Sequence, residues 1–294
     1  MKITLGISPC PNDTFIFDAL IHQKIDTEGI EFDVHFADVE HLNNNAITGT
    51  LDVTKLSFNA FSKCTKSYLL LDSGSALGRG CGPLLIKKPS TLLTNKSRIV
   101  VPGFSTTANL LLTILKPNYT NKYENIFSEI EKDILLENAD AGLIIHENRF
   151  TFKNKGLVEV YDLGELWEIE NKLPIPLGGI AIRRDLPHYL QKKIERILFN
   201  SVRFAIENPN SSKEFIKSHA QELEDSVIDA HINLYVNDYS ISFYLIMAIS
   251  LIIALRGSVS GSSMDPHKNF EAFLANNYVG FFMFMAFVSQ MLKI

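Results

Sequence analysis

Along the first hundred residues the spacing of apolar side chains switches repeatedly between two and three to four. "KITLGIS" alternates as a strand does, "TFIFDALIHQ" carries its apolar residues at helical spacing behind Asn12 or Asp13 as cap, and "IEFDVHFAD" alternates again. "HLNNNAITGT" begins a short helix, "VTKLSF" reads as a further strand, and "YLLLDSGSALGRGCGPLLIKK" places two strands around a glycine-rich turn.

Near Ser97 the pattern starts over. "RIVVPG" predicts a strand ending at Pro102 and Gly103, "STTANLLLTILKP" a helix stopping before Pro117, "YENIFSEIEKDILLENA" a second helix, and "ADAGLIIHE" a buried strand. "LPIPLGGIAIRRD" then runs extended into a long helix, "LPHYLQKKIERILFNSVRFAIENP", opened by Asp185 and Pro187 and closed at Pro209. Strands and helices alternating in this way predict an α/β protein with mostly parallel sheets covered by helices on both faces. Extended crossovers near residues 95–98 and 174–182 divide it into two lobes with a ligand cleft between them. The first lobe is expected to comprise residues 1–96 and 180–240, the second 97–179, with 241–294 an atypical apolar segment.

Length agrees with two lobes, since 294 residues suit two domains of roughly 100–150. A net charge of −5 without any basic run argues against nucleic acid as partner. Cys10, Cys64 and Cys81 lie far apart and are odd in number, which fits neither a disulfide framework nor zinc-ligand spacing and suits a reducing cytoplasm. The N-terminal run lacks the long apolar core and cleavage site of a secretory signal, so a cytoplasmic protein is expected.

Three places carry candidate chemistry. In "VPGFSTTANLLL" a strand ends in glycine and hydroxyl residues open a helix, so free N–H groups and the helix dipole offer a seat for a substrate carboxylate; the plainer reading is that one of Ser105, Thr106 and Thr107 is an N-cap. His146 follows "AGLII", and a titratable side chain just past a strand's carboxyl end faces the crevice of an α/β sheet, where it can act as general base. "KLSFNAF" sets Ser57 and Asn59 at a strand-to-helix junction, as ligand contacts or as caps. "GRGCGP" lacks phosphate-loop spacing and reads as backbone geometry, with Arg79 a possible ligand or interlobe contact. No two histidines show zinc-ligand spacing, so no metal is expected. The rigid turn "SPCPND" after the first strand is expected to border the cleft, with Cys10 as packing or lining.

Taken in order, "SPCPNDTFIFDAL", "KLSFNAF", "GSALGRGCGPLL", "VPGFSTTANLLL", "DAGLIIHENRFTF" and "LPIPLGGIAIRRDL" resemble the 1,4-dihydroxy-6-naphthoate synthase family of the futalosine route to menaquinone, from residue 1 to about Ser240. The resemblance implies a two-lobed fold similar to type II periplasmic binding proteins, used as a lyase. Members convert cyclic dehypoxanthinyl futalosine into 1,4-dihydroxy-6-naphthoate with release of the sugar-derived fragment and no cofactor. It further implies that His146 is the proton acceptor, that Lys55, Leu56 and Ser57 bind the substrate from the first lobe, and that Thr106 and Thr107 bind it from the second. Asn59 is a further candidate contact. The partner is then a small carboxylated molecule. The nearest rivals are a chorismate dehydratase-like enzyme of the same pathway and a small-carboxylate solute-binding protein.

After "HINLYVNDYS" the chain departs from the family pattern. "ISFYLIMAISLIIALRG" and "VGFFMFMAFVSQML" are each shorter than the roughly 20 residues that cross a bilayer comfortably. They read as an altered terminus in preference to a membrane-associating hairpin, because the preceding lobes need no membrane and the change is abrupt.

Overall fold

A computed structural model describes residues 1–78, 80–171, 175–220 and 223–236. Arg79 and the atypical segment 241–294 lie outside the described residues. The chain first lays down β1 (Lys2–Ile7), α1 (Pro11–Ile21), β2 (Glu31–Phe36), α2 (Val39–Thr48), β3 (Val53–Ser57), α3 (Phe58–Cys64), β4 (Tyr68–Leu70) and β5 (Ala76–Gly78). It continues with β6 (Leu84–Lys87), β7 (Ile99–Val101), α4 (Thr107–Leu115), β8 (Lys122–Glu124), α5 (Ile130–Leu135), β9 (Ala141–Ile144), α6 (Asn148–Thr151), β10 (Val158–Asp162) and α7 (Leu163–Asn171). It ends with β11 (Ile175–Arg183), α8 (His188–Glu207), α9 (Lys213–His219) and α10 (Asp225–Tyr235).

Two sheets result. The first runs β2-β1-β3-β11-β4, with β5 also on β11; the second runs β10-β6-β9-β7-β8. Both are mixed, where mostly parallel sheets were expected. β1 is parallel to β2 and β3, but β11 returns from the other lobe and pairs antiparallel with β3, β4 and β5. In the second sheet only β7 makes parallel pairs, with β8 and β9. The strands also change sheet earlier than the boundaries at 96/97 and 179/180: β6 belongs to the second sheet and the whole of β11 to the first. Its crossings therefore fall between β5 and β6 and between α7 and β11.

Apolar patterning places a core in each lobe. Leu5, Ile7, Phe17, Ile180 and Ile194 pack in the first, and Leu85, Leu111, Leu143 and Trp167 in the second. Each such side chain, fully buried, contributes roughly 1.5–3 kcal/mol. α8 buries Leu190, Ile194, Ile197, Leu198 and Val202 at helical spacing and is fastened to α1 by Ser201, whose Oγ donates to the Ile16 carbonyl and accepts from the Leu20 N–H. The helix expected over "YENIFSEIEKDILLENA" is instead the edge strand β8, a short 3-10 turn and α5, because Lys122–Glu124 pair with β7. The first crossing is tight. A Cβ on Gly82 would meet the Gly164 nitrogen at 2.3 Å, and one on Gly164 the Cys81 carbonyl oxygen at 2.3 Å, so both positions must be glycine for the β5–β6 connection to lie against the start of α7.

Candidate functional site

The cleft lies where the strand ends of both lobes converge. Ser8, Asp13, Lys55 and Ser57 come from the first lobe, Thr106, Thr107 and His146 from the second, and Tyr235 from α10.

On the first-lobe side the turn after β1 begins α1 directly, with Cys10 as N-cap and Pro11 in the first turn. Neither Asn12 nor Asp13 caps the helix. Asp13 instead turns back and accepts the N–H and Oγ–H of Ser8, the amide of Asn12, and the Lys55 ammonium at 2.6 Å. Lys55 is only 8% exposed, so this ion pair is buried, and the other ammonium hydrogens have no partner among the described residues. Ser57 ends β3. Its N–H donates to Asn43 Oδ1 and its Oγ accepts from Asn43 Nδ2, leaving the hydroxyl proton for a ligand. Leu56 completes this wall of the cleft.

On the second-lobe side Thr106 is the N-cap of α4, its Oγ accepting from the Asn109 N–H and donating to the Gly103 carbonyl. Both readings of this segment hold at once: Thr106 caps, while the N–H groups of Thr107 and Ala108 meet no acceptor among the described residues and lie at the cleft wall. Ser105 is not available, because its N–H donates to Glu40 of the first lobe and its Oγ accepts from Lys63. Asn59 does not line the cleft; its amide donates to the Phe104 and Thr106 carbonyls and so ties α3 to the turn before α4.

His146 stands two residues past β9 with φ +59°, a left-handed conformation uncommon for a side-chain-bearing residue. The following residues hold it there. Asn148 donates to Glu131, and Arg149 donates to the Gly82 carbonyl and, at 2.7 Å, to Asp162. Nε2 of His146 is buried without a hydrogen-bond partner among the described residues, and the ring packs edge-on against Phe127. Burial lowers its pKa below the ordinary histidine value, against the opposing pull of Glu147 and Asp13, so the imidazole is neutral and able to accept a proton near pH 7. Burial raises the Tyr235 hydroxyl, which keeps its proton as a donor.

Six of the seven sequence candidates, Lys55, Leu56, Ser57, Thr106, Thr107 and His146, therefore meet around one cleft, and Asn59 braces it. The turn after β1 borders the cleft through Ser8, Asn12 and Asp13. Sequence reasoning singled out neither Tyr235 nor His231, whose ring centroid lies 6.2 Å from that of His146. Neither carries a local signal, because both belong to α10, far along the chain. The absence of metal-ligand spacing is likewise a property of the chain and not of the fold, which gathers ligand atoms of Cys10, His146 and Glu147 within 4.8 Å of one another.

Residues 3–244 match the family model described as "Menaquinone biosynthesis". The chain belongs to this family. A 1,4-dihydroxy-6-naphthoate synthase of Thermus thermophilus is 41% identical over 242 residues, covering 81% of this chain and 87% of that protein, and one of Streptomyces coelicolor is 39% identical over 243 residues, covering 81% and 86%. Among solved structures, protein AF1704 of Archaeoglobus fulgidus is similar with a TM-score of 0.84 and 35% identity, over 88% of this chain and 98% of that one. The CA3427 gene product of Candida albicans, described as having the generic periplasmic binding protein fold, is similar in fold alone, with a TM-score of 0.68 and 12% identity over 94% and 95% of the two chains. The chain thus has a two-lobed fold similar to that of periplasmic binding proteins. Among the described residues no helix is long and apolar enough to cross a membrane.

Proposed function

We propose that this chain is a lyase that converts cyclic dehypoxanthinyl futalosine into 1,4-dihydroxy-6-naphthoate in menaquinone biosynthesis, acting in the cytoplasm. One observation carries the reading: a neutral, half-buried imidazole and a set of carboxylate-binding donors line one cleft, in a chain 41% identical to the Thermus thermophilus synthase. The Lys55 ammonium, the Ser57 hydroxyl and the free N–H groups of Thr107 and Ala108 suit a carboxylated ring compound. His146, held at the cleft wall, removes a proton beside a carbonyl; the carbon–carbon bond to the sugar-derived fragment then breaks, and formation of the aromatic ring drives the later steps.

The test is to incubate the purified full-length chain with cyclic dehypoxanthinyl futalosine and follow the naphthoate by mass and aromatic absorbance. His146→Ala is expected to leave substrate binding largely intact and to lower turnover by about a hundred- to ten-thousand-fold, the usual worth of a positioned base. The acid limb of kcat/KM in the natural chain is expected below the ordinary histidine value of about 6.5. Unchanged turnover in His146→Ala would remove the histidine from its role, and binding without any product would remove the lyase reading for this chain.

A further inference from the structure

Two cavities lie beside the His146–Glu147 turn. One is the cleft, which His146 lines together with Lys55 and Tyr235; the other is a groove of about 530 Å³ lined by its neighbour Glu147 with Pro9, Cys10, Phe127 and His219. Cys10 and Glu147 face this groove and are absent from the cleft lining. Ligand atoms of Cys10, His146 and Glu147 all lie within 4.8 Å of one another, close to the roughly 3.5 Å separating donors around a tetrahedral ion with metal–ligand bonds of 2.0–2.3 Å.

Two of these groups lack what a buried polar atom requires. His146 Nε2 and Glu147 Oε2 are both inaccessible to solvent and without a hydrogen-bond partner among the described residues. Leaving one such atom unsatisfied is costly, so a ligand supplying both is favoured. Cys10 is 3% exposed and fixed by its place as N-cap of α1.

The donor set decides which ligand. A thiol and an imidazole exclude the hard, oxygen-seeking ions, and one sulfur, one nitrogen and one carboxylate with a fourth position open is the set that zinc takes. The groove gives an ion a path to Cys10 and Glu147 that avoids the substrate cleft.

We propose that Cys10, His146 and Glu147 form a binding site for one Zn²⁺ ion, and that the bound ion withdraws His146 from proton abstraction and switches the enzyme off. Binding releases the Cys10 thiol proton to solvent and uses a lone pair of the imidazole that the reaction also needs. The inhibitory half rests on the function proposed above; the binding half does not.

The experiment titrates metal-free full-length protein with Zn²⁺ by calorimetry, and with Co²⁺ while recording the visible and near-ultraviolet spectrum. One equivalent is expected to bind, and Co²⁺ is expected to give a thiolate charge-transfer band that Cys10→Ser lacks. Glu147→Gln, which leaves the buried thiol in place, is expected to weaken Zn²⁺ binding at least tenfold. In the naphthoate assay Zn²⁺ is expected to inhibit the natural chain, while Cys10→Ser forms product and needs at least tenfold more Zn²⁺ for the same inhibition. Absence of stoichiometric binding, or binding unchanged in both variants, overturns the site. Tight binding with undiminished turnover overturns the switch. A chain that binds Zn²⁺ as expected yet forms no naphthoate even without metal refutes the lyase reading and leaves the site standing.

Discussion

His231 is fully buried, and neither ring nitrogen has a hydrogen-bond partner among the described residues. Burial, followed by the nearby His146 and Lys55, holds its pKa well below the ordinary histidine value. In the unfolded chain it titrates near about 6.5, so between the two values the unfolded state binds a proton that the folded state refuses. Stability therefore falls as pH drops below about 6.5 and stays lower once the folded value is passed. The thermal midpoint of metal-free protein is expected to decline between about pH 7 and 5, and His231→Leu, which removes the titrating group from an apolar site, is expected to flatten that decline. An equally steep decline in the variant would assign the acid sensitivity to other groups. At this scale the sequence was legible only where a residue's role follows from its neighbours. His146 could be picked out because it ends an apolar strand, and Thr106 because it opens a helix. The Lys55–Asp13 pair could not, since its partners are 42 residues apart and meet only when β3 is laid beside β1.

Among the elements, the short connections constrain more than the long helices do. α8 was visible from its spacing alone, because twenty residues with one apolar stripe have few other ways to bury it. β8 was not, because three residues at a sheet edge owe their conformation to β7 and not to any pattern of their own. The β5–β6 connection was read correctly as backbone geometry, but its reason, contact with α7, lies far along the chain. Gly164→Ala puts that reason to a test. Its Cβ would sit 2.3 Å from a carbonyl oxygen that no rotamer change can move, so the two segments must part. A loss of roughly 1–3 kcal/mol is expected in the denaturant midpoint, with product formation falling because Gly82 also anchors Arg149 beside His146. A midpoint equal to that of the natural chain would mean that the crossing yields without cost.

At the scale of the molecule, the two lobes are joined across the cleft by bonds concentrated on one turn. Asn59 holds the Phe104 and Thr106 carbonyls, Glu40 the Ser105 N–H, Lys63 the Ser105 hydroxyl, and Thr107 the Leu177 carbonyl. A Cβ at Gly103 would collide with the Glu40 carboxyl at 2.4 Å, and its φ of +143° suits glycine, so the turn is shaped to receive the first lobe. Asn59→Ala removes two of these bonds, each worth roughly 0.5–1.5 kcal/mol, and is expected to lower kcat/KM about tenfold and to enlarge the radius of gyration in small-angle scattering. Unchanged kcat/KM would show that closure does not depend on this contact. The two-lobed plan and the family were legible because six separated blocks carry them in order; the sheet boundaries were not, because nothing local tells β6 which lobe it will join.

The return of β11 to the first sheet also orders events during synthesis. Every described strand of the second sheet lies between Leu84 and Asp162, so that sheet is complete on the ribosome while the first is still waiting. Until Ile175–Arg183 emerges, β3 and β4 have no common neighbour, and β3 presents a fully buried strand's edge to whatever is near. The half of the protein made first is thus finished only after the other sheet, and the nascent chain carries an open seam from the emergence of β3 to that of β11.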